Sequence, residues 1–442
     1  MTFFLAIPFE LRLAILALFG AVIGGQLNRT IYRLGWEPRD IGPWSAPAKK
    51  APPRNWFDRV PIVGWIGLRR EAQIHGRGFW LRPLLIELST AIGFAWLYYW
   101  NVSQAGLIAV PPGKPPFDAV LMHIHFLVQV VLISLLIVAT FIDFDEQTIP
   151  DAITLPGTLI ALMLAAFVPV SRLPTVVVKA PGASLQLLRL ECPEQLTALS
   201  PVQLPDWPVW YFEGKGLACG ISCFVGWCLA ILPLLWFTRH GFGKAFQYLF
   251  AHIVRPRRQT KRPEGAIPRQ IHPLVVVIFA LMVVGPVGIT ICWMRGGLVW
   301  ASLLSALLGL AFGGGLIWAV RILGSWALQR EAMGFGDVTL MAMIGAFVGW
   351  QPSLIIFFLA PLAAVFIALL QFVFTGRHDI AFGPYLALGT LILLLGWKDI
   401  WNNWAVQIFT LGGTSILLIL VVCLCLMGAM LFVWRVLKEL VS

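Results

Sequence analysis

Apolar runs of roughly twenty residues recur along almost the entire chain, and a helix needs about that length to cross a bilayer. Only 12 % of the 442 residues are charged, against about 25 % in soluble domains, so polar residues are too few to cover a water-facing surface. The pattern predicts an all-α polytopic integral membrane protein. The runs span 5–27, 83–105, 119–142, 152–171, 214–237, 273–294, 299–322, 353–375, 383–399 and 405–434.

One further apolar run, 338–350, is shorter than the others. As a helix it would cover roughly 20 Å, which is less than the hydrocarbon thickness of about 30 Å. It would therefore either cross a locally thinned bilayer or enter and leave the membrane on the same side. The positions of the positively charged loops favour the crossing, because cytoplasmic loops carry an excess of Lys and Arg.

Basic residues concentrate in two segments, with eleven Lys and Arg in 28–82 and eight in 239–272. If 28–82 is cytoplasmic, alternating spans also place 239–272 inside. A crossing at 338–350 then places the basic residues near the end of the chain inside as well. This favours about eleven transmembrane helices. Basic segments beside membrane spans fit contacts with membrane lipids, and we predict no nucleic-acid partner.

Two polar segments differ from the rest of the chain. Residues 36–60 are rich in Pro and Trp, which predicts an extended tether rather than a packed domain. Residues 172–213 hold prolines interleaved with Val and Leu, and a small β-rich cap there is not distinguishable from a loop. We see no internal repeat of the kind that many transporters have.

The most informative acidic cluster is Ile142-Asp143-Phe-Asp145-Glu146, followed by Asp151. Ionisable residues inside a membrane segment are energetically costly and are often functional. Asp145 and Glu146 fit a solvated helix end, and Asp151 fits the N-cap of the next helix. Asp143 directly follows an apolar run, so we expect it at the hydrocarbon boundary.

A second acid follows two glycines in Met333-Gly334-Phe-Gly336-Asp337. Asp337 opens an apolar segment, and the lack of side chains at Gly334 and Gly336 lets another backbone or a substrate approach closely. Taken alone, the pattern also fits a turn that is followed by an Asp helix cap. The chain contains no Cys-x-x-Cys pair, and we predict no metal site.

Alternating spans place Asp143 and Asp337 on the same membrane face at similar depth. Such a pair can hydrolyse a peptide bond when one carboxylate accepts a proton from water and the other, protonated, donates to the scissile carbonyl. Two close carboxylates are not both ionised cheaply, so we expect the pair to titrate jointly. This chemistry requires no cofactor.

Several blocks, ordered along the chain, carry a family resemblance. They are Gly20-Ala-Val-Ile-Gly24-Gly-Gln-Leu-Asn28-Arg-Thr-Ile-Tyr-Arg33, Arg59-Val-Pro61-Ile-Val-Gly-Trp65, Arg82-Pro-Leu-Leu-Ile-Glu87-Leu, Ile142-Asp143-Phe-Asp145 with 149–156, 330–350, and Phe382-Gly383-Pro384-Tyr385-Leu-Ala387. Together they resemble the bacterial type IV prepilin peptidases, which are membrane aspartic proteases of the Gly-x-Gly-Asp type.

The resemblance implies that Asp143 and Asp337 are the catalytic pair and that Gly334 and Gly336 support the second aspartate. It implies a multi-pass protein of the bacterial cytoplasmic (inner) membrane. The implied substrate is a prepilin or pseudopilin whose basic leader stays in the cytoplasm.

The acidic residues beside Asp143 give a further hypothesis. Asp145, Glu146 and Asp151 would attract a positively charged leader, since the cluster contains no basic residue.

The chain also departs from the family pattern. Many members hold two Cys pairs in the first cytoplasmic loop, whereas 28–82 contains no cysteine, so we expect no metal there. S-adenosylmethionine would be needed only if the family's amino-terminal methyl transfer is retained. Many members also have Lys two places after the second aspartate, where this chain has Thr339.

Two other functions stay open. The alternatives are a proton-coupled transporter that uses the same carboxylates and a catalytically silent scaffold of a pilus or secretion system.

These features divide the chain into seven predicted parts. The parts are a first transmembrane helix (1–27), a basic cytoplasmic loop (28–82), helices with the first aspartate (83–171), an extracytoplasmic insert (172–213), additional helices with a basic loop (214–322), the Gly-x-Gly-Asp core (323–400) and a final helix (401–442).

Overall fold

The all-α prediction is confirmed over the part of the chain that can be described. The computed structural model describes residues 6–35, 39, 41–47, 51–107, 119–174, 210, 213–237, 273–329, 331–374, 382–405, 407–409 and 415–441. These residues form helices and contain no strand. The predicted basic loop 239–272 lies entirely outside the described residues, and most of the insert 172–213 does too.

The helices of the described residues lie at the predicted apolar runs, with two short helices added in the segment between the first two runs. They are α1 (Phe9–Leu34), α2 (Val63–Leu68), α3 (Ala72–His75), α4 (Leu81–Tyr98), α5 (Ala119–Glu146), α6 (Asp151–Phe167), α7 (Gly214–Phe237), α8 (Pro273–Arg295), α9 (Gly297–Leu328), α10 (Phe335–Val348), α11 (Trp350–Phe374), α12 (Gly383–Ile400) and α13 (Ser415–Val441).

Several of these helices are suited to crossing a membrane. Six of them are long and apolar enough to span it by length and composition, namely α1, α5, α7, α8, α9 and α13. The chain is therefore a polytopic membrane protein. A total of eleven crossings stays a prediction.

The first helix is longer than the apolar run that predicted it, because α1 continues to Leu34. From Gly20 onward α1 packs closely on α4, and a Cβ at Gly20 would lie 2.5 Å from the carbonyl oxygen of Thr90. Asn28 lies in the same interface, only 2 % exposed, and donates to the carbonyl oxygen of Pro83 at 2.9 Å. A polar side chain is stable there because it is hydrogen-bonded, so the helix continues past the apolar residues.

The described part of segment 36–60 is packed, which differs from the predicted extended tether. The guanidinium of Arg54 donates to Glu71 at 3.1 Å and to the carbonyl oxygen of Ser45 at 2.7 Å. Arg70 pairs with Asp58. Because Asp58 and Glu71 are almost fully buried, these ion pairs hold the segment to α2 and α3 as a folded unit.

The short helix α10 is enclosed by protein, since every residue from Asp337 to Val348 is buried. It packs on α5, α6, α9, α11 and α12. The contact with α9 is close because Gly309 of α9 and Gly345 of α10 face each other, and a Cβ on either would meet the carbonyl oxygen of the other. Small residues allow such an approach between membrane helices.

Helix α10 extends beside α6 from one end to the other. A Cβ at Gly336, near its start, would lie 2.9 Å from Cβ of Ile149, just before α6 begins. At the other end, Arg172 follows α6 and donates to the carbonyl oxygen of Ala346 at 2.6 Å. Helix α10 thus lies along α6 within the bundle, and its crossing of the membrane stays a prediction.

Candidate active site

The structure brings the two predicted catalytic aspartates together at one end of the helix bundle, which we call the aspartate end. Asp143 lies near the end of α5 and Asp337 lies in the first turn of α10. Their side chains are buried, with 5 % and 7 % exposed respectively. The carboxyl groups are close enough to interact electrostatically.

The two carboxyl groups have different hydrogen-bond partners. The backbone N–H of Gly383 donates to Oδ2 of Asp143 at 3.0 Å. Gly383 is the first residue of α12, and the positive end of the helix dipole favours a negative group at that position. Among the described residues, none donates a hydrogen bond to the carboxyl group of Asp337. One acid is thus fixed by backbone, and the other is free to bind water or substrate.

Two glycines shape the site by their lack of side chains. A Cβ at Gly383 would lie 2.5 Å from Oδ2 of Asp143, and a Cβ at Gly336 would lie 2.9 Å from Cβ of Ile149. Ile149 also contacts Gly383, so this residue of the α5–α6 connection touches both halves of the site. Around Gly334 there is more room, because the nearest atom to an added Cβ is Oδ2 of Asp337 at 3.8 Å.

Gly383 and Ile149 were not singled out as site residues from the sequence, although both lie in blocks that carry the family resemblance. The block 382–387 was the available signal for Gly383. Its partner Asp143 is 240 positions away along the chain, and no periodic pattern predicts such a contact.

The acidic residues proposed to attract the leader also lie at the aspartate end. Both oxygens of Asp145 accept hydrogen bonds from Nη1 of Arg82 at 2.7 Å. Glu146 lies against the end of α1, since a Cβ at Gly35 would be 2.7 Å from its Oε1. Asp151 is half-buried in the first turn of α6. The charge of Asp145 is therefore compensated locally by Arg82.

The described residues include no group of three or more His, Cys, Asp or Glu side chains arranged to hold a metal ion.

The chain is similar to a known family over part of its length. Residues 267–369 match the type IV leader peptidase family. This segment contains Gly334, Gly336 and Asp337, whereas Asp143 and Gly383 lie outside it.

Curated relatives give the same result. A prepilin leader peptidase/N-methyltransferase from Aeromonas hydrophila is 36 % identical over 121 residues, which is 24 % of this chain and 41 % of the relative. The protein of that name from Escherichia coli (strain K12) is 38 % identical over 97 residues, 21 % of this chain and 43 % of the relative. The protein of that name from Pseudomonas aeruginosa is 36 % identical over 104 residues, which is 23 % of this chain and 36 % of the relative.

These matches span less than half the length of each of the three relatives. No solved structure matches the chain. The fold thus defines an all-α polytopic membrane protein. Its resemblance to the type IV leader peptidases is confirmed by the matching segment and by the relatives.

Proposed function

We propose that this protein is a membrane-embedded aspartic endopeptidase that removes the basic leader from prepilins or pseudopilins at the cytoplasmic face of the bacterial inner membrane. The observation that carries the proposal is the pair of buried, electrostatically interacting carboxyl groups of Asp143 and Asp337. The match of the segment around Asp337 to leader peptidases supports the same activity.

The unequal surroundings of the two acids support a division of roles. A hydrogen bond from a backbone N–H stabilises a carboxylate that carries charge, and Asp143 accepts one from Gly383. Asp143 would therefore be the base that takes a proton from the attacking water. Asp337, which has no such donor among the described residues, would carry the proton that is donated to the scissile carbonyl.

The surface around the pair is suited to a substrate with a basic leader and an apolar membrane segment. Glu146 and Asp151 add negative charge at the aspartate end, and opposite charge increases the rate at which a basic partner is captured. No cofactor takes part in the proteolytic step. S-adenosylmethionine would be a cofactor only if this chain also methylates the new amino terminus.

The proposal is tested by co-expressing the full chain with a prepilin from the same genome and measuring leader removal by gel shift and amino-terminal sequencing. Asp143→Asn and Asp337→Asn keep the side-chain volume and remove the charge. Each is expected to lower cleavage by about 10³-fold, because general acid–base catalysis contributes about 10²–10⁴-fold. Asp399→Asn is the matched control, since Asp399 is exposed near the end of α12.

Normal cleavage by either dyad variant would reject the two-aspartate mechanism. If the native protein moved protons across vesicles in a pH gradient and cleaved nothing, the transporter alternative would replace the peptidase. If pilus or secretion function survived both substitutions, the protein would be a scaffold. The mass of the cleaved product also tests for methyl transfer.

A further inference from the structure

A second polar site lies at the aspartate end, beside the last turns of α1. It is a pocket open to solvent, and Arg29, Arg33, Arg39, Trp44 and Trp65 are among its lining residues. Its position at this end follows from two interactions between the end of α1, including its C-cap Gly35, and the end of α5. A Cβ at Gly35 would meet Glu146, and Tyr32 interacts electrostatically with Asp145.

The three arginines of this pocket differ from the other arginines nearby. Arg54, Arg70 and Arg82 each form an ion pair with a carboxylate. In contrast, Arg29, Arg33 and Arg39 form no ion pair with any described residue.

The two nearest carboxylates of α5, those of Asp145 and Glu146, are not among the residues that line the pocket. Asp145 is already bound by Arg82, and Glu146 lies against Gly35. Glu37 and Asp40 are outside the described residues. The described residues thus place three cationic side chains around an open space without an acidic side chain inside it.

The outer face of α1 continues from apolar residues directly into this basic site. Leu11, Ile15, Leu18 and Val22 are exposed, between 39 % and 70 %. They follow one another at intervals of three or four positions, so they lie along one side of the helix. Further steps of three or four positions along that side lead through Gln26 to Arg29 and Arg33, which are also exposed.

We propose that the pocket and this face of α1 form a binding site for one anionic phospholipid. The phosphate would lie among Arg29, Arg33 and Arg39, and the acyl chains would lie along Leu18 and Val22. Basic pockets beside transmembrane helices are suited to such head groups. A basic leader peptide would be repelled by the same charges, and a soluble phosphate compound would make no use of the apolar face.

The first test measures lipid binding to the full-length protein in neutral detergent. Phosphatidylglycerol is titrated and bound lipid is counted by native mass spectrometry. The variant Arg29→Gln/Arg33→Gln should weaken binding roughly 25-fold, since each basic residue near the surface contributes about 1 kcal/mol, or about fivefold. The control Arg69→Gln/Arg77→Gln removes the same charge from two exposed arginines outside the pocket and should change binding less than about twofold.

Three results would overturn the proposal. Equal loss of binding in both double variants would mean that bulk positive charge alone attracts the lipid. Equal binding of phosphatidylcholine would mean that the site does not recognise an anionic head group. Displacement of the lipid by inorganic phosphate at equal concentration would assign the pocket to soluble phosphate. Melting temperatures of the variants, expected to match the native protein, establish that the substitutions leave the fold intact.

Discussion

Two buried acids at the same end of the molecule have opposite surroundings. Glu87 of α4 is 2 % exposed and accepts hydrogen bonds from the Trp65 indole at 2.7 Å, from Asn28 at 3.2 Å and from the backbone of Ile62. Asp337 is 7 % exposed and accepts none from the described residues. Buried charge is stable only when it is paired or hydrogen-bonded, so Glu87 fits a structural role and Asp337 fits a chemical one.

The first prediction is the largest expected effect, and it separates activity from stability. Asp337→Asn should reduce cleavage by about 10³-fold without lowering the melting temperature, because the substitution removes a buried carboxyl group that has few partners. Cleavage and thermal unfolding are measured on the same purified sample. A drop in melting temperature comparable to that of a Glu87 variant would show that Asp337 stabilises the fold as Glu87 does.

The reverse pattern is expected at Glu87. Glu87→Ala should lower the free energy of unfolding by about 1–3 kcal/mol, because the indole and amide donors around it stay buried without an acceptor. Glu87→Gln keeps one acceptor oxygen and should cost less. Denaturant or thermal unfolding in detergent provides the measurement. If both variants unfolded like the native protein, Glu87 would not hold the segment 59–65 to α1 and α4.

A third prediction concerns the backbone donor to Asp143. In Gly383→Ala the new methyl group would meet Oδ2 of Asp143 at 2.5 Å, so either the aspartate or α12 must move. Cleavage should fall about 10²-fold, since small displacements of a catalytic group have effects of that size. Gly315→Ala on α9 is the control, because no atom lies within 4 Å of its added Cβ. Full activity of Gly383→Ala would remove this glycine from the site.

A smaller effect is expected for the acidic residues around the pair. Asp145→Asn should change the KM for a basic-leader substrate less than about twofold, because Arg82 already compensates that charge. Glu146→Gln/Asp151→Asn should raise KM roughly 2–5-fold at low ionic strength. The effect should vanish at high salt, because salt screens the attraction between exposed charges. An unchanged KM in all these variants would refute the attraction hypothesis.

No effect is expected from a metal chelator. The described residues of 51–75 are held by the ion pairs Arg54–Glu71 and Arg70–Asp58. Cleavage and melting temperature should therefore be the same with and without EDTA. Lower cleavage or a lower melting temperature in EDTA, restored by zinc, would show that this segment depends on a metal.

The positions of the helices could largely be predicted from the sequence, since a membrane span requires a long apolar run. The pairing of Asp143 with Asp337 could be predicted too, because both follow or open such runs on the same side. The enclosure of α10 could not. An apolar run looks the same whether lipid or protein surrounds it, and only the packed structure shows that α10 is covered on all sides.

Contacts between polar groups that lie far apart in the sequence could not be predicted either. Asn28, Trp65 and Glu87 lie in three separate blocks of the sequence, and their meeting depends on how α1 and α4 approach each other at Gly20 and Gly24. The same holds for Gly383 and Asp143. Segment 36–60 suggested a tether because its prolines are visible in the sequence, whereas the ion pairs of Arg54 with Glu71 and of Arg70 with Asp58 are not.

The enclosure of α10 has a consequence for the order of events during synthesis. A ribosome produces α5, α6 and α9 before Asp337, but α11 and α12 only afterwards. Asp143 obtains its backbone hydrogen bond from Gly383, so a nascent chain that ends before this residue carries both aspartates without a complete site. The proposed peptidase would thus be inactive while it is being translated, and neighbouring membrane proteins would meet the assembled dyad only after α12 has been inserted.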